Sequence, residues 1–467
     1  MQANNLAALE QGTIDHLRER LVNLNPVRRI GYVSEIVVSV VKAHLPSVLL
    51  GELCEIEASD GRIVLGEVIA FTENLATISC LQSVVGIALG STVRPLGRPH
   101  SVKPGARQLS LILDGMGRNL ADPLNSRDSV LSLDPDASPV IRPAPPATSR
   151  PPVKQALITQ VKVIDNLLSF GVGQRVGIFA PPGCGKSTLM AQIVRGAKVD
   201  AVVFGLVGER GRELREFIEN EIDSTIRQRS FFVCATSDKS PIERVRAAFT
   251  AMSVAEYLRD QGKSVLLLID SITRLARAQR EIGLMAGEPA TQAGFTPSVY
   301  SILPALVERA GRTETGSITA IFTVLMEGDR IEDDPIASEA KSLLDGHIVL
   351  TPKLVERNHF PAIDPLRSLS RVMHSVADEK TRRAAAGLRR IYSLYQEVEL
   401  LVRLNEYKTG TDALIDEAVK VKPMLDTWCQ QNRMQPVDPA QALRQLEDLV
   451  SSFLAITEQD AMNGFNR

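Results

Sequence analysis

Residues 183–188 read Gly-Cys-Gly-Lys-Ser-Thr, which sets two glycines, a cation and two hydroxyls within six positions. Glycines let the backbone pass close to a bulky anion, and the amides that open a helix lie unpaired at the positive end of its dipole. Lys186 would then reach the β- and γ-phosphates of a nucleoside triphosphate, and the Ser187 hydroxyl would ligate Mg²⁺. The pattern needs a strand before it and a helix after it. Here residues 176–180 are apolar and β-rich, while Leu189, Met190 and Ile193 fall in helical phase beyond. The first position of the usual motif holds Ala180 rather than glycine, and Pro181 and Pro182 have no N–H to offer, so the cradle must start at Gly183, with Cys184, Gly185 and Thr188 completing it. The plainer alternative is a glycine-ended helix followed by another that carries a solvated lysine. Cys184 has two readings. A helix N-terminus and the nearby Lys186 favour a reactive thiolate, whereas a small side chain that fits the loop would be inert.

Such a loop serves several kinds of nucleotide enzyme, so other groups must decide among them. Residues 265–270, Val-Leu-Leu-Leu-Ile-Asp, form an apolar strand ending in a carboxylate, which places Asp270 near the loop's Mg²⁺. The apolar run 201–207 leads into Gly208-Glu209-Arg210-Gly211-Arg212-Glu213. Strand C-termini of an open α/β sheet face the ligand crevice, so Glu209 is a candidate to orient or deprotonate an attacking water. A solvated helix start would show the same charged run, and spacing alone leaves both open.

The elements that must position these groups follow from periodicity. Residues 1–30 hold a short amphipathic helix with Ile14, Leu17, Leu21 and Leu24 on one face, ending near Pro26. From 31 to 97, short β-branched runs alternate with turns, as in a small barrel or sandwich. Residues 98–152 form a connector, rich in Pro, Ala and Ser over 135–152. Continuous apolar runs alternating with helices over 153–377 indicate a parallel sheet covered on both faces, a doubly wound α/β domain. Residues 378–467 turn helical, with Leu388, Ile391, Leu394, Tyr395, Val398, Leu401 and Val402 on one face.

Composition excludes several classes of function. The 467 residues are long enough for about three domains. Lys plus Arg (53) nearly balances Asp plus Glu (55), so no global field draws the chain to nucleic acid. Five scattered cysteines lack zinc spacing and suit a reducing cytoplasm. No segment has the uninterrupted apolar length of a membrane span, so any membrane contact is expected to be peripheral.

The segment GERGRE after its strand, together with PAIDPLRSLS at 361–370, resembles the catalytic-subunit family of rotary ATP synthases and their secretion relatives. The likeness covers nearly the whole chain, including Leu113-Asp114-Gly115-Met116-Gly117-Arg118 and Gly316-Ser317-Ile318-Thr319-Ala320. It implies a RecA-like nucleotide domain with an N-terminal β-barrel and a C-terminal helical domain. By the same resemblance Glu209 is the catalytic glutamate, with Arg210 a nearby positive group. Asp270 and Glu213 act on Mg²⁺ mostly through water, Phe360 stacks on the adenine of ATP, and Arg371 is supplied to a neighbouring subunit's γ-phosphate. The stretches at 45–54, 366–373 and 395–407 resemble the ATPases that energise type III protein secretion by injectisomes. Departures from the family pattern are Ala180-Pro181-Pro182, Gln160 where relatives often have glycine, and Ala293-Gly294-Phe295-Thr296.

The resemblance implies a Mg²⁺-dependent ATPase at the cytoplasmic face of the inner membrane, built as a homohexamer. Its partners would be stalk and stator proteins of the export apparatus and chaperone–substrate complexes, and it would release chaperones and help unfold cargo. Flagellar protein export is the nearest alternative, since it uses the same catalytic residues. A hexameric RNA translocase is a rival from another class. It would need a basic, aromatic single-strand platform, and 4% aromatic residues with balanced charge offer little support for one. A non-catalytic assembly subunit would not need Lys186, Glu209 and Asp270 together.

Overall fold

A computed structural model describes residues 29–37, 39–72, 75–105, 108–122, 129–132 and 137–465. The amphipathic segment expected over residues 1–30 lies almost wholly outside them. The chain divides into two compact units, Met1–Pro99 and His100–Arg467.

In the first unit, alternating β-branched residues give strands whose inward positions fill a small interior. Gly31–Val37, Val40–His44, Leu75–Cys80, Ile63–Thr72, Glu52–Glu57 and Thr92–Pro99 pair in that spatial order and close into a barrel. Closure leaves no free edge to pair with another chain. Val33, Val41, Cys54, Ile56, Val68, Ile78 and Val93 form its core. Register shifts between Val33 and Glu35 and between Val68 and Ala70 mark bulges that help the strands curve. The open choice between barrel and sandwich is thus decided for the barrel.

The second unit is built on a sheet whose spatial order is Leu369–Ser370, Gly346–Val349, Arg175–Ala180, Ser317–Leu325, Ser264–Asp270, Ala201–Val207, Ser230–Ala235 and Ile112–Leu113. Its central pairings are parallel. Every residue of Ala201–Val207 is buried, as expected for a strand with helices on both faces. Because neighbouring strands run the same way, the C-terminal ends of Arg175–Ala180, Ala201–Val207 and Ser264–Asp270 open on one edge. That edge carries the chemistry.

The connector expected over 98–152 does more than join two units. Ile112–Leu113 pairs with Phe232 and Val233 as the last strand of the sheet, and Asp114 accepts hydrogen bonds from the Met116 and Arg118 amides and from the Arg118 guanidinium. Val140 and Arg142 then reach a buried ion pair, in which Arg309 lies 2.5 Å from Glu256 and also donates to the Val140 carbonyl. Arg309 is fully buried. The C-terminal helices are Glu379–Arg403, Ala413–Cys429 and Pro439–Phe465. Leu388, Ile391, Leu425, Trp428 and Phe453 join the core that also holds Leu189 and Ile193, so these helices are packed onto the nucleotide domain. The apolar face expected on the first helix is buried through Leu388, Ile391 and Val398, but Leu401 is exposed.

Candidate functional site

The loop between the strand Arg175–Ala180 and the helix Lys186–Gly196 holds Gly183 at φ 81° and Gly185 at φ 80°. Both angles lie in the left-handed region, which a Cβ disfavours. At Gly183 a Cβ would meet nothing within 4 Å, so the demand there is purely on backbone conformation. Gly185 caps the helix with no side-chain hydrogen bond, and the first helical bond runs from the Leu189 amide to the Gly185 carbonyl. The amides of Lys186, Ser187 and Thr188 therefore open the helix unpaired, as an anion requires. Pro181 and Pro182 take no part in this cradle, which begins at Gly183.

Three strand ends bring the reacting groups together. Lys186 Nζ lies 2.5 Å from Asp270 Oδ1 and 3.8 Å from Glu209 Oε1. Asp270 Oδ1 also accepts a 2.6 Å hydrogen bond from Thr323 Oγ1, so two neighbours hold that carboxylate. Arg274 Nη2 sits 3.2 Å from Glu209 Oε2, and the same guanidinium donates to the Gly208 carbonyl, which fixes the backbone just before Glu209. Glu209 Oε1 is buried and has no hydrogen-bond partner. Burial, reinforced by the charge of Asp270, raises the pKa of Glu209, while Lys186 and Arg274 pull it down.

Ser187, Glu209, Glu213 and Asp270 line one cavity of about 350 Å³. Among the described residues no cluster of three or more His, Cys, Asp or Glu is arranged to hold a metal by itself. The donor set nevertheless suits Mg²⁺, an ion that keeps several waters and is carried by phosphates with one or two protein oxygens. Arg210 lies outside this cavity. It is exposed and contacts Glu213 at 3.3 Å.

A second cavity, about 410 Å³, adjoins the loop on its other side. Cys184, Gly185, Thr188 and Phe360 line it with Gln192 and the segment 431–433. The Phe360 ring is 41% exposed, although large apolar side chains of this unit are mostly buried, and lies 3.9 Å from where a Gly185 Cβ would stand. Gln431 ties the C-terminal helices to this pocket. Its amide donates to the Phe360 carbonyl, its Oε1 accepts from the Lys162 amide, and its Nε2 donates to the Gln160 carbonyl. Gln160, in the position noted for departing from glycine, has φ 58°, a left-handed conformation in which the family's glycine would be free of strain.

Cys184 corrects one of the two expectations for it. The thiol is 3% exposed, and burial, with a smaller effect from the charge of Asp329, raises its pKa. The Lys186 ammonium that would have stabilised a thiolate is turned to Asp270 instead. Both observations favour the inert reading.

Arg371 follows Leu369–Ser370, the outermost strand of the sheet on that side. It is exposed, its amide donates to the Asp345 carbonyl, and its Nη2 approaches the Lys341 carbonyl at 3.5 Å. It lines neither cavity. Arg274, Thr323, Gln192 and the segment 431–433 are the site groups that sequence reading missed. None sits in a recognisable motif, and only the fold brings them to the loop.

Residues 160–370 match the nucleotide-binding domain of the ATP synthase alpha/beta family, residues 33–97 match the beta-barrel domain of that family, and residues 377–448 match the C-terminal domain of the type III secretion ATPase EscN. The type 3 secretion system ATPase of Pseudomonas syringae pv. syringae is 46% identical over 93% of this chain and 96% of its own length. The flagellum-specific ATP synthase of Bacillus subtilis is 40% identical over 91% of this chain and 96% of its own. The assembled ATPase EscN from the type III secretion system of enteropathogenic E. coli superposes with a TM-score of 0.83 at 41% identity, over 90% of this chain and 100% of that one. A second structure, EscN with its central stalk EscO, gives 0.81 with the same coverage and identity.

Proposed function

The chain belongs to the ATP synthase alpha/beta family, within it to the type 3 secretion system ATPases, and from that premise we propose how its own residues hydrolyse ATP in protein secretion. The triphosphate lies on the amides of residues 183–188. Lys186 leaves Asp270 and turns to the β- and γ-oxygens, exchanging that ion pair for one with substrate. Ser187, Asp270 and Glu213 would hold Mg²⁺, which when bound would neutralise charge on the β- and γ-phosphates. Glu209 orients the attacking water and accepts its proton. Phe360 stacks on the base.

The observation that carries this reading is Glu209 Oε1, buried without a hydrogen-bond partner beside Lys186 and Asp270. A buried carboxylate oxygen left unpaired costs about 1–3 kcal/mol or more, which a water bound for attack would recover. Its raised proton affinity also suits a base working near neutral pH. Arg210, which contacts Glu213, tunes that edge of the cavity from outside. Arg371 acts in the site of a neighbouring copy within a homohexamer. The assembled state of EscN supports that arrangement, and its complex with a central stalk supports a stalk partner here.

In this reading the enzyme works in the cytoplasm, peripherally at the inner membrane, with stalk and stator proteins, and acts on chaperone–substrate complexes to free and unfold cargo. Among the described residues no helix is long and apolar enough to cross a membrane. Flagellar export is a second reading, supported by the 40% identity to a flagellar enzyme. The match to a secretion-type C-terminal domain favours the first.

Binding of a fluorescent ATP analogue, measured beside phosphate release, tests the site. Lys186→Ala should lose affinity, whereas Glu209→Gln should bind normally and lose turnover, because one side chain meets phosphate in the ground state and the other acts on water only in the transition state. Lost binding in a folded Glu209→Gln protein would remove Glu209 from the role of base.

A further inference from the structure

Gln192 lies six residues beyond Lys186 on the same helix, about 9 Å further along its axis at 1.5 Å per residue. That offset carries it from the phosphate end of the site to the Phe360 cavity, which it lines. The side chain is 94% buried, from a relative exposure of 6%, and its Nε2 has no hydrogen-bond partner. A buried amide N–H is costly to leave unpaired, and native structures rarely do so without a reason.

The polar side chains that residues 431–433 bring to the cavity each bond elsewhere. Gln431 spends its carboxamide on the Lys162 amide and on the Gln160 and Gln435 carbonyls. Asn432 Oδ1 accepts from the Met434 amide, and Arg433 pairs with Glu221 at 3.0 Å. Gln192 therefore brings the uncommitted carboxamide to a pocket otherwise shaped by Phe360, Leu350 and Leu189.

We propose that Gln192 is the residue that selects adenine, through hydrogen bonds from its carboxamide to the edge of the base. The proposal rests on the assignment of this pocket to the base of ATP. A carboxamide offers one donor and one acceptor side by side, and rotation about its last bond exchanges them. Adenine answers with the 6-amino donor and an adjacent ring-nitrogen acceptor, the pairing that glutamine and asparagine make with adenine elsewhere. The carboxamide is assigned to the edge that carries N7, because there guanine and hypoxanthine present two acceptors, O6 and N7, and satisfy only half of the group. Gln192 thus acts on base choice, while the loop residues act on phosphate.

The test compares the affinities of Mg-ATP, Mg-GTP and Mg-ITP by calorimetry for the wild-type chain, Gln192→Met and Lys186→Ala. Methionine keeps the volume of glutamine and removes both polar atoms. The wild type should prefer ATP. Gln192→Met should lose ATP affinity by roughly ten- to a hundredfold while GTP and ITP change little, so that the preference collapses. The empty Gln192→Met protein should melt no lower than the wild type, because it no longer buries an unpaired amide. An unchanged ATP to GTP ratio in this variant overturns the proposal, as does an equal loss for all three nucleotides with a lower melting temperature. Lys186→Ala should weaken all three alike. If it leaves them unaltered, the phosphate assignment fails, which is a different outcome from failure at Gln192.

Discussion

Arg274 lies 3.2 Å from the Glu209 carboxylate and holds the Gly208 carbonyl, so replacing it with methionine removes a charge that keeps the proposed base ionised. Glu209 is pushed up to about 7 by burial and by Asp270, with Lys186 and Arg274 opposing. An opposite charge this close shifts a carboxyl by about 1–3 pH units. The Arg274 side chain is 24% exposed and solvent screens it in part, so the lower end applies and the half-point should move to about pH 8. The carboxylate is the working form, so activity falls as pH drops through this half-point. At pH 7 the ionised fraction would go from about one half to about one tenth, a loss of roughly fivefold in kcat/KM that is recovered above pH 9. The assay is kcat/KM for Mg-ATP from pH 5.5 to 9.5, taken as the ratio of variant to wild type so that titration of the substrate itself cancels. A ratio that stays flat across pH would show that Arg274 acts through the backbone at Gly208 alone. A half-point that moved down would refute the electrostatic reasoning.

Three further outcomes follow from other parts of the molecule. Mixing inactive Arg371→Ala with inactive Glu209→Gln chains should restore hydrolysis, because a mixed interface can join an intact Glu209 to an intact Arg371; zero activity in demonstrably mixed hexamers rejects action between subunits. Cys184, buried and with its thiol pKa raised, should label with iodoacetamide more slowly than the thiol of a short unstructured peptide, as peptide mapping of the nucleotide-free protein would reveal. Arg309→Met should destabilise the second unit by about 1–3 kcal/mol in denaturant titration, since Glu256 keeps Arg142 but loses the buried hydrogen bonds from Arg309. Adding Glu256→Leu should return part of that loss. A single-variant effect below about 1 kcal/mol would mean that the network carries little.

The sequence by itself determined those parts of the site whose chemistry is local. Gly183, Gly185, Lys186 and Ser187 are contiguous, and a phosphate loop needs only a strand, two glycines and a helix start, all readable from periodicity and residue type. Asp270 was legible as the carboxylate that ends a long apolar strand, whereas spacing left Glu209 between a catalytic group and a solvated helix start, and only the family resemblance assigned it. Only the tertiary structure decided what meets them. Thr323 reaches Asp270 because Ser317–Leu325 lies beside Ser264–Asp270 in the sheet, and strand order leaves little mark on sequence. Gln431 reaches Phe360 through the packing of the C-terminal helices, 71 residues later in the chain. The raised pKa of the Cys184 thiol has a related origin. The helix dipole and Lys186 are visible along the chain, but the burial of the sulfur and the turning of Lys186 to Asp270 depend on neighbours from distant segments. Desolvation and ion pairing are properties of an environment, and an environment exists only once the strands are side by side.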